Sequence, residues 1–104
     1  MARNAPVELI AKQTDAVATK AAYKINQDRI PTTIVADVLA GAEEVNFYFS
    51  IDAGVTWATL QVDGSPVVLT ATDNAKTFYG PMLIAVDKDA TAGACGVFAV
   101  TADK

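Results

Sequence analysis

Few residues in this chain could do chemistry. Its 104 residues contain no histidine and a single cysteine, Cys95. Without imidazole, neither the usual zinc ligand set nor a Cys–His or Ser–His catalytic pair can be assembled. Cys95 lies among Ala94, Gly96, Val97 and Phe98 and reads as a small buried hydrophobe with no base to activate it. A lone cysteine also precludes an internal disulfide. Neither G-x-x-x-x-G-K nor G-x-G-x-x-G occurs, so a nucleotide phosphate has no cradle. Carboxylates remain. Glu43 and Glu44 are neighbours that would point to opposite sides of an extended chain, and they read as a solvated loop rather than an acid–base pair. Asp87 and Asp89 could begin a calcium loop, but the glycine and closing glutamate of such a loop are missing, so a charged turn is expected. Tyr48, Trp57 and Tyr79 could stack on a sugar if they faced outward; core or subunit interface is the commoner fate of such aromatics. No catalytic residue, metal or cofactor is expected.

The element that would position most of these groups is a hairpin. Val45, Phe47, Phe49 and Ile51 alternate with Asn46, Tyr48 and Ser50, and Thr56 to Val62 alternate again beyond a turn. Two period-two runs around a short segment containing glycine predict a β-hairpin. Asp52 is expected to accept hydrogen bonds from amides one or two residues on. Gly54 is expected to take positive φ in a three-residue loop with a bulge. Trp57, the only tryptophan, is expected to anchor the hairpin to the core.

The rest reads as more sheet. A chain of this length is one domain with room for a modest core. Apolar residues make up 52%, and 12 valines and 11 threonines favour strand. Residues 7–28 fit a helical stripe through Val7, Ile10, Ala11, Val17, Ala18, Ala21 and Ile25. They also fit two strands, about 7–13 and 19–26, which is the preferred reading because everything downstream is β. Further strands are expected at 32–39, 67–72, 77–79, 82–86 and 95–101. Between them lie Asp63-Gly64 (lengthened by Ser65-Pro66), Asp73-Asn74, Gly80-Pro81 and a polar connection over 87–94. Seven to nine short strands with turns about every ten residues predict one antiparallel β-sandwich, or a partly open barrel, spanning residues 1–104. Residues 1–12 are expected to form an extended N-terminal arm. Within it, Arg3, Val7, Leu9 and Ile10 are candidate interface residues that would reach a neighbour by strand addition.

The formal net charge of −4 argues against nucleic-acid binding. The most apolar window, 34–42, is short and contains Asp37, so no membrane span is expected. The segment after Arg3 is mixed rather than apolar and does not resemble a signal peptide, so synthesis in a cytoplasm is expected.

Two resemblances add to this reading. Ser50-x-Asp52-x-Gly54-x-Thr56-Trp57 resembles the Asp-box of sialidase propellers at every fixed position. There the motif stabilises a hairpin away from the active site, so it implies turn geometry and no glycosidase activity; the chain is also too short for a propeller. More broadly, the segments Ala42 to Trp57, Val68 to Asn74, Tyr79-Gly80-Pro81 and Thr91 to Val97 resemble small structural proteins of tailed bacteriophages. Ala53 and Met82 stand where that pattern commonly has glycine. The resemblance implies a non-enzymatic virion component, a capsid decoration or cement protein on the outer face of the major capsid protein. It would be made in the host cytoplasm and be homo-oligomeric, with a trimer favoured. The alternative is a tail or fibre-associated module that binds host glycan through Tyr48, Trp57 or Tyr79.

Overall fold

The period-two pattern is realised as eleven strands and no helix among the described residues, which are 6–25 and 31–101 of a computed structural model. In chain order they are β1 (Val7–Gln13), β2 (Val17–Ile25), β3 (Thr32–Ala36), β4 (Val45–Ser50), β5 (Ala58–Thr59), β6 (Gln61–Val62), β7 (Ser65–Pro66), β8 (Val68–Leu69), β9 (Ala75–Phe78), β10 (Met82–Lys88) and β11 (Cys95–Thr101). One sheet has the order β1-β11-β3-β9. The second has the order β2-β10-β4-β5, with β8 on the same edge of β4 as β5. Strands β6 and β7 form a separate hairpin. Every pairing is antiparallel. The chain changes sheet between β1 and β2, β2 and β3, β3 and β4, β8 and β9, β9 and β10, and β10 and β11. The architecture is therefore an all-β sandwich in which neither sheet can be completed without the other.

The two sheets contribute equally to the core. Ile10, Ile34, Ala36, Cys95, Val97 and Ala99 come from the first, and Ile25, Val45, Phe47, Leu69, Ile84 and Val86 from the second. Phe47 meets Phe78 of the opposite sheet edge-on, with centroids 5.1 Å apart and planes at 69°, a favoured aromatic geometry. Cys95 is fully buried and unpaired. The choice between helix and strands over residues 7–25 falls to strands. Ile10 reaches the core from β1 in the first sheet and Ile25 from β2 in the second.

Several expectations need correction. From Val7 onward the expected arm is strand β1, paired with β11. Ile10 is not an interface residue but core, 3% exposed, and half-buried Leu9 packs against that core. Val7 is 45% exposed, and Arg3 lies outside the described residues. Two register irregularities, between Glu8 and Ile10 and between Ile10 and Gln13, break the free edge of β1. Such bulges blunt an edge against further pairing. Ile51 leaves the alternation of β4 and is 91% exposed. The outgoing strand of the main hairpin is interrupted at Leu60, whose amide donates to the Phe47 carbonyl (3.0 Å) and whose carbonyl accepts from Val67 N–H (2.9 Å). Between these bonds the chain makes the β6–β7 excursion. Its turn is the two residues Asp63-Gly64, at φ 54° and 82°, the left-handed pair of a tight hairpin turn. Ser65-Pro66 belongs to β7 and does not lengthen it. Gly80 is fixed by crowding, because a Cβ there would collide with the Ile25 carbonyl.

Lys88, read from sequence as part of a polar connection, is the last residue of β10 and is 3% exposed. It keeps the inward phase of Ile84 and Val86. Its Nζ donates to the carbonyls of Asp15 (2.7 Å) and Asp89 (3.0 Å) and to Thr91 Oγ1 (3.3 Å). The Thr91 hydroxyl donates on to Gly93 O (2.7 Å), and the Thr91 amide to Thr14 O (2.9 Å). One ammonium thus joins the β1–β2 turn to the β10–β11 connection, with all three protons used. Lys88→Met keeps the stem but takes the donor from two part-buried carbonyls and the buried Thr91 hydroxyl. Urea unfolding is expected to show a loss of about 2–3 kcal/mol, while an exposed control, Lys24→Met, stays within about 0.5 kcal/mol of the parent.

Candidate functional site

The segment Ser50 to Trp57 links β4 to β5 as a loop, not as a three-residue turn, and two side chains wire it internally. The Ser50 hydroxyl donates to Asp52 Oδ1 (2.7 Å) and accepts from the amides of Gly54 (2.8 Å) and Asp52 (3.2 Å). Asp52 Oδ1 also accepts from the Thr56 amide (2.9 Å), and Oδ2 from the Thr56 hydroxyl (2.6 Å). The Asp52 carbonyl accepts from Val55 N–H at 3.3 Å. Asp52 therefore reaches four residues along the chain, farther than the sequence reading placed its acceptors. The left-handed region is taken by Ala53 (φ 60°) as well as Gly54 (φ 89°). At Ala53 this conformation carries a cost of about 1 kcal/mol that glycine would avoid.

The expected role of Trp57 is also revised. The side chain is half-buried and lies outside the core cluster. It packs on the loop, with Cζ2 3.6 Å from where a Cβ on Gly54 would stand. The reason is positional. The last ladder pair is Phe49 with Ala58, so Trp57 is beyond the end of the sheet rather than between the sheets.

Three donors hold the Asp52 carboxylate in its charged form. The Thr56 hydroxyl, then the Thr56 amide, then the Ser50 hydroxyl lower its pKa from 3.8 to about 2. Three of its roughly four acceptor positions are used within the loop, so the anion holds the turn.

The carboxylates of Glu43, Asp89, Asp87 and Asp37 are likewise engaged. Glu43 is not simply solvated. Its Oε1 accepts from Ala40 N–H (2.8 Å) and its Oε2 from Ala92 N–H (2.9 Å). Asp89 exchanges bonds with Glu44, its amide donating to the Glu44 carbonyl (3.1 Å) and its Oδ2 accepting the Glu44 amide (3.2 Å). Asp87 faces the outside of the second sheet, where it accepts from Asn46 Nδ2 (2.9 Å) and Tyr48 OH (2.8 Å). Burial, and then the bond to Asp87, raise the Tyr48 phenol above its usual 10.0. The Lys20 ammonium sits 4.2 Å from the centroid of the Tyr48 ring, a cation–π contact that occupies a stacking face. On the first sheet, partial burial acts to raise the Asp37 carboxyl. The Lys12 ammonium at 2.6 Å and the Gly96 amide at 2.8 Å outweigh it and hold the group below 3.8. Among the described residues, no three His, Cys, Asp or Glu side chains come together as a metal site.

Four exposed apolar side chains lie toward one end of the sandwich, with Val7 and Tyr79 at opposite edges of the first sheet. Val7 opens β1, Ile51 and Val55 lie in the loop after β4, and Tyr79 follows β9. The ladders place these positions at one end of the sandwich, because Leu83 pairs with Ser50, Met82 with Ile25, Thr101 with Thr32, Thr32 with Phe78, and Val7 with Ala99. Exposures are 45% for Val7, 91% for Ile51, 78% for Val55 and 61% for Tyr79. The opposite end carries the bonds of Lys88, Glu43 and Asp89. Sequence reasoning missed Ile51 and Val55 because it assigned the first to a strand and gave the second no role. The available signal was two β-branched apolar residues inside a turn whose polar residues all bond to one another.

Comparison with known proteins finds no match to a protein family, a curated protein or a solved structure.

The Asp52 network makes a pH prediction. A carboxyl whose folded pKa is depressed contributes stability fully above its unfolded value and loses it as pH falls toward the folded value. Asp52→Asn is expected to be less stable than the parent at pH 6. The difference should shrink between about pH 4 and pH 2 and vanish below that. Thermal unfolding at stepped pH measures it, and carboxyl-carbon NMR should follow Asp52 titrating near 2.

Proposed function

We propose that this protein is a non-enzymatic capsid decoration, or cement, protein of a tailed bacteriophage. It binds the outer face of the major capsid protein and stabilises the shell as a homo-oligomer, with a trimer favoured. The observation that carries the reading is the end of the sandwich that exposes Ile51 and Val55 on one loop, with Val7 and Tyr79 at the two edges of the first sheet. Isolated surface hydrophobes need no explanation, but several on one end of a small domain mark a contact surface. The loop that offers Ile51 and Val55 is held by the Ser50, Asp52 and Thr56 bonds. Little conformational freedom is left for binding to remove, and preorganisation of this kind turns buried area into affinity. The resemblance of residues 42–57, 68–74, 79–81 and 91–97 to phage structural proteins points the same way.

The mechanism is mechanical. Each copy bridges neighbouring capsid subunits, and the apolar area it covers opposes their separation under the pressure of packaged DNA. The glycan-binding alternative would rest on Tyr79, since Lys20 already covers the Tyr48 ring and Trp57 is folded onto its own loop.

Quantification of this protein against the major capsid protein in purified particles is the direct test, with hundreds of copies per shell expected. A handful of copies confined to a tail tip would overturn the reading. The double variant Ile51→Ser, Val55→Ser is expected to keep the parent melting temperature and to bind undecorated shells roughly 100-fold more weakly, equivalent to about 2.7 kcal/mol. Unchanged shell affinity would remove the loop from the contact.

A further inference from the structure

A second surface lies along the side of the sandwich and meets the apolar end only at Phe78. A groove of about 470 Å³ runs between the β6–β8 segment and β9. One wall is Val62, Pro66, Val67 and Val68; the other is Thr77 and Phe78 of β9. Strand β9 is an edge strand, since it pairs with β3 and with no other strand. In an antiparallel ladder alternate residues bond to the neighbour and the rest point their N–H and C=O groups away from it. No backbone bond from the described chain reaches residues 75–78 on that outward side. The groove thus combines an apolar trough with a row of backbone donors and acceptors along one lip. Among the described lining residues the two charged ones, Asp73 and Lys76, are paired with each other, so this lining offers an occupant no net charge.

We infer that this groove takes an uncharged, extended segment of a partner polypeptide, which adds to the β9 edge as a further antiparallel or parallel strand. The backbone of the segment pairs with β9 while its alternate apolar side chains enter the trough between Phe78 and Val62. The four residues of β9 span about 13 Å, which sets the paired length at about four residues. Recognition by main-chain bonds plus pockets for alternate side chains is the general logic of strand addition. The β1 edge does not offer the same site, because its two bulges interrupt the row of free groups. This inference does not depend on the shell-binding reading, since it concerns a different face and is tested on the isolated protein.

The probe is a capped seven-residue peptide of alternating threonine and valine, compared with the same peptide N-methylated at alternate amides. The N-methylated form keeps the side chains and loses the donors. Titration is followed by amide NMR and by hydrogen exchange. The plain peptide is expected to shift the amides of 75–78 and 62–68 and to slow exchange of the outward β9 amides at least tenfold. The N-methylated peptide should bind at least tenfold more weakly. Val62→Asp, at a position already 61% exposed and so expected to fold normally, should weaken binding by a similar factor. Equal binding of both peptides, shifts centred on β1, or no shift at millimolar peptide would each overturn the inference. So would outward β9 amides already protected in a concentration-dependent way without peptide, which would make a second copy of this chain the occupant.

Discussion

The closed end of this sandwich depends on the ammonium of Lys88. A lysine that is 3% exposed must satisfy three protons away from water, and it does so on two carbonyls and one hydroxyl from segments far apart in sequence. An unmet demand of this kind would cost more than a typical surface contact could return. The β1–β2 turn and the β10–β11 connection are therefore held at fixed positions relative to β10. Glu43 and Asp89 extend the same logic, each taking backbone amides from a different loop. This end has its polar groups turned inward on one another, whereas the other end exposes Ile51 and Val55.

The end that exposes Ile51 and Val55 is built differently. Its order comes from the Ser50–Asp52–Thr56 network rather than from packing, because Trp57 lies outside the core and Ile51 and Val55 face solvent. A loop wired by its own polar side chains can afford exposed apolar residues without collapsing onto them. The same feature gives the Asp-box-like motif a structural role in this chain. The motif is a solution to holding a turn, and what the turn presents is set by the residues at its variable positions.

Strand identity was largely legible because the inward positions alternate. Ile84 and Val86, Val45 and Phe47, and Val97 and Ala99 fall in phase along their strands, and no helical period reproduces all of them. Boundaries were less legible where a side chain, not the backbone pattern, ends the strand. Strand β3 stops at Ala36 because the Ala36 amide and carbonyl turn to Asn74 and the Asp37 carboxylate turns to Gly96 and Lys12. Strand β10 runs on to Lys88 because a lysine there can find acceptors inside.

By itself the sequence determined an all-β chain of short antiparallel strands, the place of its turns, a buried Cys95 and the absence from the chain of histidine-based chemistry. These follow from local pattern and composition, and each can be read within about ten residues. Only the tertiary structure decided that residues 7–13 are an edge strand with Ile10 in the core, that Trp57 stays outside it, and that Lys88 goes inside. It alone set exposed Val7, Ile51, Val55 and Tyr79 toward the same end. Those outcomes depend on which strand lies beside which, and pairing between residues as distant as Val7 and Ala99 leaves no trace in the spacing of either segment.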